Sequence, residues 1–130
     1  MSESKNVDDI PQLQKGKYIS LKTYRKNGDG VSSPVWFVAE NNKIYVCTGG
    51  SAFKAKRIRN NPQVQIASSS GRKENSKYFN ANAQILASDK TKPVNYLFRK
   101  KYRMFRVWSY FKNRGKPEDE KQIYIEITLT

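Results

Sequence analysis

The sequence predicts a mainly β protein: a small, six-stranded antiparallel β-barrel with two or three short helices. Two observations carry this prediction. Six short segments are rich in β-branched and aromatic residues and are separated by turn residues, whereas only two segments space their apolar side chains as helices do. A chain of 130 residues fits a single domain. Many short strands with few helices favour a barrel over a parallel sheet.

The first half of the domain is expected to form an antiparallel meander. A loose N-terminal arm, residues 1–14, precedes the single domain at residues 15–130. Strands are predicted at residues 18–25, 31–39 and 43–48. They are separated by Asn27-Gly28-Asp29-Gly30 and by Asn41-Asn42, whose residue types tolerate the left-handed backbone of tight hairpin turns.

The second half of the domain alternates helices and strands. Gly49-Gly50-Ser51 ends the third strand, and a short helix is predicted at residues 53–59 with Phe53 and Ile58 turned inward. A second helix is predicted from Pro93 to about Tyr110. The remaining strands are predicted at residues 63–67, 78–87 and 122–129, with an exposed loop at 68–73.

Composition excludes several classes of enzyme. The chain has no histidine and one cysteine, Cys47, so Ser-His-Asp and Cys-His catalysis and zinc sites built on His or Cys pairs are excluded. A single cysteine forms no internal disulfide, which favours a reducing, cytoplasmic setting. The polar N-terminus lacks the apolar core of a signal peptide, and no apolar run approaches the ~20 residues of a membrane span.

Positive charge gathers in two segments that contain no acidic residue. The chain carries 25 Lys and Arg against 11 Asp and Glu, a net charge of +14, which indicates an anionic partner. The larger basic segment, residues 99–116, interleaves its cations with aromatic residues. It is interpreted either as a solvated helix face or as a nucleic-acid surface, although aromatics at helical spacing are more typical of a core.

The smaller basic segment, residues 54–59, lies on the first turn of a predicted helix. Exposed backbone N–H groups and the helix dipole favour an anion at that position, and Lys54 and Lys56 add full charges. A ligand phosphate would gain charge-assisted hydrogen bonds of about 1.5–3 kcal/mol each, less where water screens them. This segment therefore predicts a phosphate site.

Three stretches together resemble a known family. They are residues 23–28 followed by Ser33-Pro34-Val35-Trp36-Phe37, residues 44–49, and residues 54–64. In this order they resemble the pyridoxamine-phosphate-oxidase-like split β-barrel proteins that bind a flavin or a deazaflavin. Pro-Val-Trp-Phe and the Lys-x-Lys-Arg-x-Arg helix are most similar to the branch of coenzyme F-420-dependent enzymes. The resemblance runs from about residue 15 to the end of the chain.

The resemblance implies an FMN-binding split barrel that forms a homodimer with two cofactor sites at the subunit interface. It implies that the cofactor phosphate meets the helix start, so Lys54 is the first candidate, followed by Lys56 and Arg57. Thr48 would lie beside the phosphate or the ribityl chain. FMN and coenzyme F-420 both carry a phosphate on a ribityl chain and a tricyclic ring, so the same residues serve either cofactor.

The resemblance also implies that Ser33, Val35 and Trp36 line the cofactor ring, largely through backbone groups. Val35 and Trp36 are equally typical of a barrel core. One departure concerns Phe53, which stands where the oxidases place an Arg before the phosphate Lys. The oxidases' substrate-binding Arg and His near the C-terminus are absent too, so oxidation of pyridoxamine phosphate is not expected.

The function expected from the sequence is an oxidoreductase that moves a hydride between the bound cofactor and a small organic substrate. The cofactor carries such chemistry, so the absence of histidine is no obstacle. No general acid stands out, since Tyr18, Tyr45 and Tyr78 are equally typical of structural tyrosines. The alternatives are a non-enzymatic carrier of a flavin-type cofactor and a basic nucleic-acid-binding module.

Overall fold

The computed structural model describes residues 18–69, 78–102, 114–115 and 121–130. Six strands form a closed antiparallel barrel in the order β1-β2-β3-β6-β5-β4. The strands are β1 (Tyr18–Tyr24), β2 (Gly30–Glu40), β3 (Lys43–Gly49), β4 (Gln63–Ser69), β5 (Phe79–Ile85) and β6 (Gln122–Leu129). The helices are α1 (Phe53–Asn60) and α2 (Lys92–Lys101), with a 3-10 turn at Ser88–Lys90 before α2. The mainly β class and the antiparallel barrel are confirmed.

The predicted meander forms because its turn residues adopt the required backbone. Asn41 and Asn42 both have positive φ, 52° and 64°, which matches the twist of a two-residue hairpin between β2 and β3. Gly28 has φ 96° in the turn between β1 and β2, where its N–H donates to the carbonyl of Arg25. These turns bring β1, β2 and β3 side by side, and β6 then pairs with the outer edge of β3.

Two apolar clusters lie on opposite sides of the barrel wall. The barrel interior is filled by side chains that alternate along the strands, among them Ile19, Leu21, Phe37, Ile44, Val46, Ile66, Ile125 and Ile127. The second cluster lies outside the wall, where Val94 and Phe98 of α2 pack on Val38, Cys47 and Tyr124. Helix α2 therefore covers the outer face of β2, β3 and β6.

The orientation predicted for Phe53 is wrong. Its side chain is 73% exposed, while Ala55 and Ile58 are the buried residues of α1. At about 100° of rotation per residue, Phe53 lies roughly 140–200° around the helix from both of them. It therefore faces solvent when α1 packs on the barrel.

Several predictions fall outside the described residues. The N-terminal arm at 1–14 and most of the loop at 68–73 belong to this group. Helix α2 begins close to the predicted start but ends at Lys101, so the continuous helix predicted to about Tyr110 is wrong. The backbone of Tyr102 is extended, with φ -116° and ψ 114°, which places the Tyr102 side chain outside the helix; residues 103–110 lie outside the described residues. Of the basic segment 99–116, the structure describes residues 99–102 and 114–115.

Candidate functional site

A cleft of about 220 Å³ lies where β2, β3 and the first turn of α1 meet. It brings together four of the residues predicted from the sequence: Val35, Trp36, Thr48 and Lys54. Its remaining lining residues are Tyr18, Pro34, Cys47 and Gly49. None of these lining residues is acidic, so Lys54 supplies the formal charge of the cleft.

The cleft exists because β3 ends in a tight turn that leads directly into α1. The N–H of Ala52 donates to the carbonyl of Gly49 at 3.1 Å, and the N–H of Gly50 donates to the carbonyl of Lys121 at 2.9 Å. Arg59 braces the same turn, because its Nη1 donates to the carbonyl of Gly50 at 3.0 Å. The sequence analysis missed this role of Arg59.

The start of α1 has no capping side chain and no acidic residue of its own. Its N-cap residue, Ala52, makes no side-chain cap hydrogen bond, and the first turn contains no acidic residue. The first N–H groups of a helix lack helical acceptors, and the dipole makes this end positive. With the Lys54 side chain and the buried Thr48 hydroxyl alongside, the arrangement can hold an anion such as a phosphate.

The other predicted phosphate ligands lie away from this cleft. Arg57 donates from Nε to Oγ1 of Thr23 at 2.6 Å, and Thr23 is buried in β1. Arg57 therefore fastens α1 to the barrel. Lys56 is exposed, and its Nζ lies 5.5 Å from the ring centroid of Phe53. Ser33 is also outside the cleft lining.

Val35 and Trp36 border the cleft from opposite faces of β2. The side chain of Val35 belongs to the barrel interior. The ring of Trp36 packs against the cluster under α2 and stacks on Tyr102, with ring centroids 4.8 Å apart and an angle of 11° between the planes. Trp36 is thus a fixed wall of the cleft, held by a residue that follows α2.

Tyr102 and Lys101 complete the backbone hydrogen bonding of β2 at Phe37. The Tyr102 hydroxyl accepts from the N–H of Phe37 at 2.9 Å and donates to its carbonyl at 2.7 Å. Nζ of Lys101 donates to the same carbonyl at 2.8 Å. Burial raises the pKa of Tyr102 to about 12 and lowers the pKa of Lys101 to about 8. Apolar spacing in the sequence does not reveal this role of the Tyr102 hydroxyl.

The described part of the chain contains no group of three or more His, Cys, Asp or Glu side chains that could hold a metal ion. None of the helices described here is long and apolar enough to cross a membrane. Cys47 is buried, forms no disulfide and lies in the wall of the cleft.

No protein-family model and no curated protein matches the sequence. Solved structures do match it over most of its length. A pyridoxamine 5′-phosphate oxidase-related, FMN-binding protein from Nostoc punctiforme is 14% identical with a TM-score of 0.64, and the match covers 87% of this chain and 70% of that one. An F-420-H2-dependent reductase is 17% identical with a TM-score of 0.62, covering 88% and 94%.

A heme storage protein from Vibrio cholerae is similar to the same degree. It is 18% identical with a TM-score of 0.66, and the match covers 95% of this chain and 88% of that one. These matches and the closed barrel define the class: the protein has the split-barrel fold of the pyridoxamine 5′-phosphate oxidase-like proteins. The resemblance seen in the sequence is confirmed at this level.

Proposed function

We propose that the protein binds a phosphorylated flavin-type cofactor, FMN or coenzyme F-420, and acts as an oxidoreductase on a small organic substrate. The observation that carries the proposal is the cleft in which Lys54 and Thr48 border the uncapped first turn of α1. Similar folds in proteins described as FMN-binding and as an F-420-H2-dependent reductase support it. The fold by itself leaves the choice between the two cofactors to experiment.

The residues of the cleft suit a cofactor phosphate. The Lys54 ammonium and the first-turn N–H groups of α1 are donors, and charge-assisted hydrogen bonds of this kind contribute about 1.5–3 kcal/mol each. None of the described residues that line the cleft is acidic. The hydroxyl of Thr48, which is 8% exposed, adds a polar group beside the phosphate or the ribityl chain.

The size of the cleft supports the proposal of a homodimer. At about 220 Å³ it is smaller than the about 300–1,000 Å³ typical of a site that encloses a small molecule. It accommodates a phosphate and part of a chain, so a tricyclic ring would extend beyond it along β2. We therefore propose that a second copy of the chain completes each site.

The residues of this chain supply binding, orientation and a fixed wall. When bound, the cofactor supplies the hydride chemistry. Lys54 and the start of α1 fix the phosphate end, while Trp36, locked by its stack on Tyr102, sets the wall beside β2. Tyr18 and Thr48 bring hydroxyl groups to the cleft, and neither is assigned a catalytic role.

Titration of FMN and of coenzyme F-420 into the purified protein tests the proposal. We expect quenched cofactor fluorescence at micromolar concentration with at least one of them. Lys54→Gln should weaken binding by about 10–100-fold, the value of one charge-assisted hydrogen bond. Lys26→Gln, an exposed lysine in the turn between β1 and β2, is the matched control and should leave affinity unchanged. Failure of both cofactors to bind, or an unaffected Lys54→Gln variant, would refute the proposal.

A carrier protein is the alternative function, and one observation favours it. Among the described residues that line the cleft there is no carboxyl group, and the chain has no histidine, so the two commonest general acids are missing beside a substrate. A similar fold also serves a protein described as storing heme. Reducing the bound cofactor and following its reoxidation with a panel of acceptors separates the two functions. A cofactor that binds but is reoxidised by none of them indicates a carrier.

The nucleic-acid hypothesis stays a prediction, because most of the basic segment 99–116 lies outside the described residues. It requires binding whose logarithm falls linearly with the logarithm of salt concentration. Undetectable or salt-insensitive binding to DNA and RNA would remove it.

A further inference from the structure

A second cavity of the molecule lies outside the cofactor cleft. It has a volume of about 670 Å³ and lies between α2, the 3-10 turn before α2 and the start of β6. This volume is within the about 300–1,000 Å³ typical of small-molecule sites. The cavity adjoins the cleft, because Thr48 of the cleft pairs with Ile123 of the cavity across the ladder between β3 and β6.

Positive charge converges on this cavity from two elements. Lys92 and Arg99 line it from α2, and Lys121 lines it from the position directly before β6; none of the described residues that line it is acidic. Lys92, Tyr96 and Arg99 lie within an arc of about 60° on α2, beside Asn95, whose side chain bonds Tyr124 of β6. Cations from α2 and from the residue before β6 thus border the same cavity, which favours an anionic ligand there.

The cavity also offers an aromatic surface and an apolar floor. Tyr96 is 61% exposed, and the only other large apolar side chain so exposed in the described residues is Phe53 on α1. Leu86 and Ile123 supply apolar lining next to it. A planar apolar ligand body could lie against the Tyr96 ring while its anionic group meets Arg99.

The floor of the cavity is held rigid by a buried hydroxyl. The side-chain amides of Asn95 and Gln122 both donate to the hydroxyl oxygen of Tyr124, which ties α2 to β6. Tyr124 is 3% exposed, and burial raises its pKa, so the hydroxyl stays protonated at neutral pH. The walls that carry Arg99 and Lys121 are therefore fixed relative to one another before a ligand arrives.

We propose that this cavity is a second binding site, for a small organic anion whose carboxylate, sulfonate or phosphate group is carried on a planar apolar body. The site does not depend on the proposed cofactor, because its lining residues include neither Lys54 nor Thr48. A ligand bound there would lie next to the cleft, across the ladder between β3 and β6.

Calorimetric titration of the full chain with naphthalene-2-sulfonate, without cofactor, tests this site. We expect one saturable site per protomer, weakened about tenfold or more in Arg99→Gln, since one charge-assisted hydrogen bond is lost. Arg25→Gln, an exposed arginine in the turn between β1 and β2, removes the same net charge elsewhere and should leave affinity within about twofold. Tyr96→Ser should also weaken binding, and its exposed ring can be removed without disturbing the fold.

Two comparison ligands separate charge from shape. The neutral naphthalene-2-sulfonamide should bind at least about tenfold more weakly than the sulfonate, and inorganic sulfate should also bind more weakly because it lacks the apolar body. The proposal is overturned if Arg25→Gln weakens binding as much as Arg99→Gln, since that indicates diffuse attraction to a basic protein. It is equally overturned if sulfate matches the sulfonate, or if no saturable binding occurs at millimolar concentration.

Discussion

The hydroxyl of Tyr102 links the end of α2 to the strand that forms one wall of the cleft, and Tyr102→Phe removes it without removing the ring. The hydroxyl holds both backbone groups of Phe37, which is fully buried. After the substitution, Lys101 still donates to the Phe37 carbonyl, so the N–H is the group left without a partner. An unpaired buried donor costs about 1–3 kcal/mol, and we expect the free energy of unfolding to fall by that amount.

Urea denaturation at a fixed protomer concentration measures this loss. Tyr96→Phe is the matched control, because its ring is 61% exposed, and it should change stability by less than about 0.5 kcal/mol. Combining Tyr102→Phe with Lys101→Met leaves the carbonyl unpaired as well, so the double variant should lose more than the sum of the single losses. A Tyr102→Phe variant as stable as the Tyr96→Phe control would show that the hydroxyl does not brace β2.

The remaining predictions concern α1, the core and pH. Thr23→Val removes the buried acceptor of Arg57, and the free energy of unfolding measured in urea should fall by about 1.5–3 kcal/mol. Cofactor affinity should be retained, and a loss of affinity would place Arg57 in the site. Phe98→Ala should cost about 3–5 kcal/mol, whereas Phe53→Ser should cost less than about 1 kcal/mol, and equal losses would contradict the exposed position of Phe53. The free energy of unfolding should rise from about pH 8 to 10, because burial lowers the pKa of Lys101 from 10.5 in the unfolded chain to about 8 in the folded protein. Between these values the unfolded chain binds more protons, so raising the pH favours the folded state. Above pH 10 it should fall, since the buried tyrosines keep protons that the unfolded chain loses; Lys101→Met should abolish the rise.

Local sequence signals were enough to predict the barrel. Asparagine pairs and glycines marked the hairpins, and alternation marked strands such as β6, because a half-buried strand must place apolar side chains on one face. The orientation of Phe53 was predicted wrongly because apolar character alone does not show which side chains of a short helix face the core. An eight-residue helix buries only a narrow stripe of its surface. In α1 that stripe consists of Ala55 and Ile58, and Phe53 lies on the other side of the helix.

The cleft was predicted only in part. The turn that leads into α1 is a local feature of the sequence, whereas the side-chain contacts that hold α1 and β2 in place join residues far apart in the chain. The step from a Gly-Gly turn to a helix start is visible in the sequence and led to Lys54, whereas Thr48 was predicted from the family resemblance. The partner of Arg57 is not visible, because Thr23 lies 34 residues earlier and meets it only when α1 packs on β1. The hydroxyl of Tyr102 meets Phe37 across 65 residues for the same kind of reason.

The central claim is that the start of α1 holds the phosphate of a flavin-type cofactor, and a crystal structure of the protein with bound FMN or coenzyme F-420 tests it most directly. We predict that the phosphate lies within hydrogen-bonding distance of Nζ of Lys54 and of the first-turn N–H groups of α1, about 2.7–3.2 Å. A phosphate bound instead beside Arg99 and Lys121, in the larger cavity under α2, would contradict the claim.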